Sequence, residues 1–235
     1  MTSGTLHDAS WLVTDRTVGA SQGAFAFNNL AVHVGDDPDA VTVNRAALGR
    51  ALGVPAVVFA RAAHGRDVAY VEAVTADVEG VDGLFTDRTD VAIAAQGADC
   101  VMVGVCTADG WIAAVHCGWR GLVVGVVPAT LRALTVAGAA LQGAVAHLGP
   151  SICGKCYKVD DRRAAEVAHA APAAVVTMGS QRGVDVRVGV LEQLRAAGVN
   201  ATWDPRCTAE DPRLYSHRRD GVTGRQALAI VRRPA

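Results

Sequence analysis

Short apolar runs rich in β-branched residues recur along this chain, and each is bounded by Gly, Asp or Pro. Runs of this length and composition predict β-strands. The predicted strands span residues 24–34, 56–61, 68–74, 91–95, 101–106, 111–116, 144–148, 174–177 and 227–231. Strands dominate the first half and do not alternate regularly with helices. The pattern therefore predicts an α+β fold with a mixed sheet instead of a doubly wound parallel sheet.

Four segments carry the signals of helices. The first begins at Asp37-Pro38, where an Asp can cap free amides and Pro suits the first turn, and it extends to about Gly53. A second helix is predicted over residues 118–138, kinked or split by Pro128. Residues 160–169 and 184–197 are predicted to form two more. No domain boundary is visible, so residues 1–235 are predicted to form a single domain.

Composition and charge narrow the class of protein. Hydrophobic residues make up 51% of the chain, which is enough for a substantial core. Lys and Arg number 22 against 23 Asp and Glu, so the basic surplus of a nucleic-acid binder is missing. Neither a signal peptide nor a charge-free apolar stretch of about 18 residues is found, which predicts a cytoplasmic protein with no membrane partner. Six cysteines are too sparse for a disulfide scaffold and indicate core positions, metal ligands or nucleophiles.

Two histidines and one cysteine lie at or near predicted strand ends, where side chains can converge on one cleft. They are His64, Cys100 and His116. Neutral imidazole and thiolate are ligands that zinc prefers, and three protein ligands leave the fourth position open, as in catalytic sites. The simpler interpretation stays open from spacing alone: each His is a satisfied polar residue, and Cys100 fills the core.

Two further clusters have more than one interpretation. Cys153 and Cys156 form a lone C-x-x-C, which can be half of a zinc ribbon, a redox pair, or a structural or substrate-facing loop. Near the C-terminus, Arg218, Arg219 and Arg225 are interleaved with glycines and hydroxyl residues. Such a loop can bind phosphate or carboxylate, and it can equally be a solvated face.

Many motifs, taken in order along the chain, resemble those of one known family. They are Asn28-Asn29-Leu30, His33-Val34-Gly35-Asp36-Asp37, Asn44-Arg45, His64-Gly65, Asp82-Gly83-Leu84, Ala98-Asp99-Cys100, His116-Cys117-Gly118-Trp119-Arg120-Gly121, Gly149-Pro150-Ser151-Ile152, Cys156-Tyr157, Cys207-Thr208, Ser216-His217-Arg218-Arg219 and Thr223-Gly224-Arg225. Over almost its whole length the chain resembles bacterial proteins first called laccase-domain or multicopper polyphenol oxidase proteins. That family is now described as multifunctional purine nucleoside phosphorylases. The resemblance implies a mixed β-sandwich flanked by helices, related to a toxin deamidase fold.

The resemblance also implies a metal site. The family's ligands are the His of Gln-Val-His-Gly, the Cys of Ala-Asp-Cys and the His of His-Ala-Gly-Trp-Arg-Gly, and they fall here on His64, Cys100 and His116. Zinc is the expected ion and copper the alternative. Departures from the family's pattern spare these ligands; they are Ala62 for Gln, Ala63 for Val, Gly97 for Thr and Cys117 for Ala. The missing Gln puts substrate preference in question, not the fold.

The activity that the resemblance implies is phosphorolysis of adenosine, guanosine, inosine or methylthioadenosine, together with hydrolytic deamination of adenosine. Purine nucleoside and phosphate are then the expected partners, and the oligomeric state is left open, a monomer included. The candidate catalytic residues are Cys100, Asp99 and Arg120, and the candidate substrate-binding residues are Asn29, Arg45, Arg218 and Arg225. Phosphorolysis needs a cationic cradle for phosphate, which the arginines can supply.

Three other functions compete with this one. Oxidation of phenols by copper fits the older family name. Outside the candidate ligands, however, the histidines are scattered along the chain, so only a mononuclear copper site is plausible. These scattered histidines are His7, His33, His147, His169 and His217. A cysteine hydrolase or deamidase would use Cys100 as nucleophile and His116 as its base. A non-enzymatic binding protein would close the metal site with a fourth ligand such as Cys117 or Cys207.

Overall fold

The computed structural model of the protein describes residues 1–233. Its strands are β1 (Thr2–Leu6), β2 (Ala9–Val13), β3 (Val57–Arg61), β4 (Val68–Tyr70), β5 (Val78–Glu79), β6 (Gly83–Thr86), β7 (Ala92–Gly97), β8 (Val101–Cys106), β9 (Ile112–Cys117), β10 (Val145–Leu148), β11 (Lys158–Val159), β12 (Val175–Met178), β13 (Gln181–Val184), β14 (Asn200–Trp203) and β15 (Gln226–Arg232). Its α-helices are α1 (Pro38–Leu52), α2 (Trp119–Val124), α3 (Val126–Val136), α4 (Asp161–Ala170), α5 (Val186–Ala196) and α6 (His217–Asp220).

Two six-stranded sheets form the centre of the molecule. The first has the strand order β1-β2-β15-β7-β3-β5, and the second has the order β14-β10-β8-β9-β6-β4. Both mix pair types: β7 is antiparallel to β15 but parallel to β3, and β10 is antiparallel to β8 but parallel to β14. A small third sheet has the order β11-β13-β12. The α+β class with mixed sheets is confirmed.

Alternating side chains of the large sheets build three buried apolar layers. Along β15, Leu228 and Ile230 enter the layer between the two sheets, whereas Ala227 and Ala229 enter the layer beneath α1. Strand β8 alternates in the same way between the inner layer and a third layer, which is covered by α2, α3, α4 and α5. The central strands of each sheet are thus buried on both faces, and the predicted mixed β-sandwich flanked by helices is confirmed.

Local signals place the helices, with one correction. At the start of α1, the Asp37 carboxylate accepts a hydrogen bond from the amide of Asp39, and Gly53 ends the helix in a left-handed conformation with φ 67°. The predicted second helix is two helices, and the break lies at Gly125, where φ is 76°. The expected kink at Pro128 is wrong because Pro128 lies in the first turn of α3, where no backbone donor is needed.

The predicted strand over residues 24–34 is also wrong. The Asn29 side chain accepts from the amide of Ala31 and donates to the carbonyl of the same residue, which bends the chain locally instead of extending it. The sequence reading also missed β1, whose residues Thr2–Leu6 are mostly exposed at a sheet edge and contain no apolar run. None of the helices within residues 1–233 has the length and apolar character needed to cross a bilayer.

Candidate metal centre

One loop and the ends of two neighbouring strands bring His64, Cys100 and His116 to one place. His116 lies in β9, and Cys100 directly precedes β8, the antiparallel neighbour of β9, so that Val101 pairs with Cys117. The start of one strand therefore meets the end of the other. His64 comes from the loop after β3, a strand of the other sheet, and adopts a left-handed conformation with φ 60°. The packing of the two sheets therefore places the His64 loop of the first sheet beside the ends of β8 and β9 in the second.

The donor atoms of these three side chains all lie within 4.8 Å of one another. The two imidazole rings meet edge to face, with their centroids 4.8 Å apart. Gly118 leaves room beside them, because a Cβ at this position would lie 3.1 Å from the Cys100 sulfur and 3.2 Å from His64 Cδ2. Within residues 1–233, no fourth ligand atom belongs to this group. Cys117 is buried outside it, and Cys207 belongs to another cluster.

The buried Asp82 holds both histidines of the cluster in place. Its Oδ1 accepts from the amide of His64 at 3.0 Å and contacts His116 Nδ1 at 2.9 Å. Its Oδ2 accepts from the amides of Gly65 at 2.7 Å and Ala63 at 3.2 Å. Because Asp82 occupies Nδ1 of His116, only Nε2 of that ring is left to face the cluster. A carboxylate behind a ligating histidine is the usual way in which its ring is oriented.

The electrostatics of the cluster favour a thiolate. Burial by itself raises the pKa of the Cys100 thiol, but the adjacent His116 and His64 overcome this effect and lower the pKa to about 6. Burial lowers the pKa of His116, whereas the Cys100 thiolate and the Asp82 carboxylate raise it, with a net value of about 9. Each residue of the pair thus favours the charged form of the other. Thiolate is the form of cysteine that binds metals.

Two clefts adjoin the donor cluster. The first, here the Arg225 cleft, has a volume of about 260 Å³ and is lined by His33, Gln96, His217 and Arg225 as well as the cluster. The second, here the Trp119 cleft, has a volume of about 360 Å³. Its additional lining includes Asp99, Trp119, Arg120, Ile152, Tyr157 and Arg218. Both clefts contain His64 and Cys100, so a bound molecule can reach the cluster from either cleft.

Three of the predicted arginines line these clefts. Arg225 is in the cleft named after it, where its Nη1 donates to the carbonyls of Thr223 and Gly224. Burial lowers the pKa of Arg225 without removing its charge. In the Trp119 cleft, Arg120 lies over the Trp119 ring at 5.3 Å, and Arg218 lies over the Tyr157 ring at 5.0 Å. Stacking fixes these guanidinium groups at the cleft wall.

Two predicted substrate-binding residues lie outside both clefts. Arg45 forms a two-pronged ion pair with Asp77 and donates to the carbonyl of Leu30. Asn29 is fully buried and accepts from the amide of Arg225 at 2.9 Å. These contacts hold both side chains against neighbouring backbone. That either residue contacts substrate stays a prediction.

Asp99 lines the Trp119 cleft, but both of its carboxylate oxygens are already engaged. Oδ1 accepts from the Thr208 hydroxyl at 2.6 Å, and Oδ2 accepts from the amide of Arg218 at 2.7 Å. Asp99 also has a left-handed φ of 93°, which turns the chain sharply before Cys100. Asp99 therefore joins the Cys100 turn to the arginine-rich loop.

Sequence reasoning missed part of this site. His33 and His217 were counted among the scattered histidines; neither belongs to the donor cluster, but both line the Arg225 cleft. Asp82 was quoted only as part of a motif, although its buried carboxylate receives three backbone amides and a histidine. No local signal identified Asp82, because β6, the strand that follows it, was not predicted.

Comparison with known proteins gives a consistent result. A sequence model of the family described as multi-copper polyphenol oxidoreductase laccase matches residues 10–233. Purine nucleoside phosphorylase SCO2081 of Streptomyces coelicolor is 43% identical over 230 residues, which cover 95% of each protein. Purine nucleoside phosphorylase Rv2149c of Mycobacterium tuberculosis is 42% identical over 225 residues, covering 93% of this chain and 90% of the relative.

Solved structures agree with this relationship. The crystal structure of YlmD from Geobacillus stearothermophilus superimposes with a TM-score of 0.89 at 32% identity, covering 97% of this chain and 93% of the other. The Neisseria meningitidis protein NMB0706 has the same TM-score at 31% identity, covering 99% of both chains. With the family model spanning nearly all of the chain, the protein belongs to the multi-copper polyphenol oxidoreductase laccase family, several of whose members carry the name purine nucleoside phosphorylase.

Proposed function

We propose that this protein is a zinc-dependent purine nucleoside phosphorylase that also acts on methylthioadenosine and deaminates adenosine. The observation that carries the proposal is the convergence of His64, Cys100 and His116 between two clefts lined by arginines. Relatives at 42–43% identity are named for the phosphorylase activity, which supports the first part of the proposal. The deaminase and methylthioadenosine activities rest on the family resemblance alone.

The donor set suits zinc. Two imidazoles and one thiolate are ligands that zinc prefers, and the low pKa of Cys100 provides the thiolate at neutral pH. Three ligands beside open clefts match the catalytic pattern more closely than the closed structural one. When bound, zinc supplies a Lewis acid and lowers the pKa of a coordinated water to about 7. Asp82 orients His116 for this role through Nδ1.

In phosphorolysis, a phosphate oxygen forms a bond to C1′ of the pentose while the bond from C1′ to the purine nitrogen breaks. The bonding electrons leave with the purine, which takes up a proton. The chain's task is to hold an anion beside the sugar. We assign the phosphate to the Arg225 cleft, where the Arg225 guanidinium is charged and half-enclosed and where the His33 imidazole adds a donor.

We assign the purine to the Trp119 cleft. Its wall combines Trp119, Tyr157 and the apolar Ile152. The guanidinium groups of Arg120 and Arg218 lie over the two rings, and a flat base can stack on these planar groups. The pentose would then lie beside the donor cluster that both clefts share. Asp99 positions the Arg218 loop in this scheme and is not assigned a proton-transfer step, because both of its oxygens are engaged.

We also propose that the chain acts as one domain, because β1 near the start and β15 near the end belong to the same sheet. The cytoplasmic location and the oligomeric state, a monomer included, stay predictions. The six free thiols suit a reducing compartment.

The test is incubation of purified protein with adenosine, inosine or methylthioadenosine, with and without phosphate, followed by chromatography of the products. Free base and pentose 1-phosphate that form only with phosphate would support the phosphorylase, and inosine from adenosine without phosphate would support the deaminase. Cys100→Ala should abolish both activities, whereas Cys106→Ala, a buried cysteine away from the clefts, should retain them.

Two other outcomes would overturn the proposal in favour of the competing functions. Stoichiometric copper with oxygen consumption on phenols would identify a copper oxidase. Rapid alkylation of Cys100 by iodoacetamide in metal-replete protein would identify a cysteine hydrolase, because a tightly bound zinc quenches the thiolate as a nucleophile. Full activity and full metal content in Cys100→Ala would refute the site assignment itself.

A further inference from the structure

A second cluster of soft ligands lies away from the donor cluster of the clefts. Cys153, Cys156, Cys207 and Glu210 each offer one ligand atom, and these four atoms lie within 4.8 Å of one another. The two sequence segments involved are far apart along the chain. None of the four residues lines the Arg225 cleft or the Trp119 cleft. We propose that these four side chains bind a second metal ion, with zinc as the expected ion, in a closed structural site.

The spacing of the donors fits a tetrahedral ion. Zn–S bonds of about 2.3 Å place two sulfurs of a tetrahedral site about 3.8 Å apart. A group whose members all lie within 4.8 Å needs to contract only slightly to reach that geometry. Three thiolates and one carboxylate fill all four positions, which is the pattern of a structural site and not of a catalytic one.

The backbone around these cysteines is already arranged as a metal-binding turn. The amides of Cys156 and Tyr157 both donate to the carbonyl of Cys153, at 3.0 and 2.9 Å, which folds Cys153 and Cys156 onto one side. The amide of Cys153 points at the Cys207 sulfur at 3.3 Å, and the amide of Ala209 points at the same sulfur. Burial and the neighbouring thiols nevertheless raise the pKa of Cys207 overall, so a metal that binds here must displace thiol protons.

A metal at this cluster would fasten the wall of the Trp119 cleft. Ser151 pairs with Cys207 in an isolated parallel bridge, and the amide of Thr208 donates to the carbonyl of Ser151. The Thr208 hydroxyl then binds Asp99, next to Cys100. The cluster thus joins two loops that both reach the active region, while its own ligands contact neither cleft. This inference does not depend on the proposed phosphorylase activity.

The test is metal analysis by mass spectrometry of protein purified under reducing conditions. The wild type should contain two zinc ions per chain, and Cys156→Ser and Cys100→Ala should each contain one. Cys106→Ala, a buried cysteine in neither cluster, should keep both. A wild type with one zinc, unchanged in Cys156→Ser, would overturn the second site. A mass two hydrogens below that of the fully reduced chain would also overturn the second site, because a disulfide would then occupy the cluster.

Glu210 gives a variant that should fold normally, because this side chain is exposed. Glu210→Ala should weaken zinc at the cluster by more than about tenfold, the lower end of what even outer-sphere partners contribute, in competition with a chromophoric chelator. Glu72→Ala, an exposed glutamate elsewhere, should leave both affinities unchanged. Equal zinc affinity in Glu210→Ala and the wild type would remove Glu210 from the site.

Cobalt substitution separates the two sites without any activity assay. The charge-transfer absorption of thiolate-bound cobalt grows with the number of thiolates. The proposed cluster has three and the donor cluster between the clefts has one. Cys100→Ala should therefore keep most of this absorption, whereas Cys207→Ser should lose much of it. A spectrum that vanishes in Cys100→Ala would contradict a cluster with three thiolates.

Discussion

Replacing Asp82 with Asn removes the charge that organises the donor cluster while keeping the shape of the side chain. The carboxylate now serves four donors, two on each oxygen. An amide has one oxygen and one NH₂ group, so two of these donors lose their acceptor in Asp82→Asn. Hydrogen bonds to a charged group contribute about 1.5–3 kcal/mol each, so the loss before relaxation is about 3–6 kcal/mol. The His64 loop is partly exposed, and water replaces part of this loss.

We therefore expect Asp82→Asn to lower the free energy of unfolding of the metal-free protein by about 2–4 kcal/mol. Metal affinity should fall as well, by about 10–100-fold, because the ring of His116 is no longer oriented through Nδ1. Urea denaturation in the presence of a chelator measures the first effect, and competition with a chromophoric chelator measures the second. Asp90→Asn, an exposed carboxylate paired with Arg88, should change stability by less than about 0.5 kcal/mol.

Metal binding by Asp82→Asn within about threefold of the wild type would refute this expectation, since orientation of His116 would then contribute little. Unfolding of the metal-free variant at the same urea concentration as the wild type would refute it as well. The four hydrogen bonds would then be replaced by solvent at no cost.

Three further predictions concern the site and the core. Gly118→Ala should lower metal affinity by at least about tenfold in the chelator competition, because the new Cβ would lie 3.1 Å from the Cys100 sulfur. Arg225→Gln should raise the KM for phosphate by about 10–100-fold, the equivalent of one charged hydrogen bond, while the exposed Arg132→Gln should leave it unchanged. Burial lowers the pKa of His147 to about 4, so the folded state resists protonation that the unfolded chain accepts below about 6.5. The contribution of His147 to the free energy of unfolding should therefore be fully present above pH 6.5 and should fall by about 3 kcal/mol as the pH drops to 4. In urea titrations at several pH values, His147→Gln should make the free energy of unfolding depend less on pH in this range.

The sequence predicted most of the strands near the site because their apolar runs are buried on both faces of a sheet. Strands β7, β8, β9 and β15 are of this kind, and every residue of the first three is buried. Exposed edge strands such as β1 lack that signal. Residues 24–34 have the composition of a strand but do not form one, because the Asn29 side chain makes the hydrogen bonds of the Ala31 backbone groups locally.

The site was partly predictable for a related reason. The three candidate ligands were visible as His and Cys at the ends of buried strands, and the family motifs singled them out. Asp82, His33 and His217 were not identified as site residues, since their roles depend on which loops the sandwich brings to one edge. The ion pair of Arg45 was equally hidden, because its partner Asp77 is 32 residues away and no local pattern reveals the pair.

The most direct test of the metal centre is anomalous diffraction at the zinc edge from crystals of zinc-loaded protein. We expect a strong peak between the sulfur of Cys100 and the rings of His64 and His116, at bonding distance from all three. Zinc-loaded crystals with no peak at that position would contradict it.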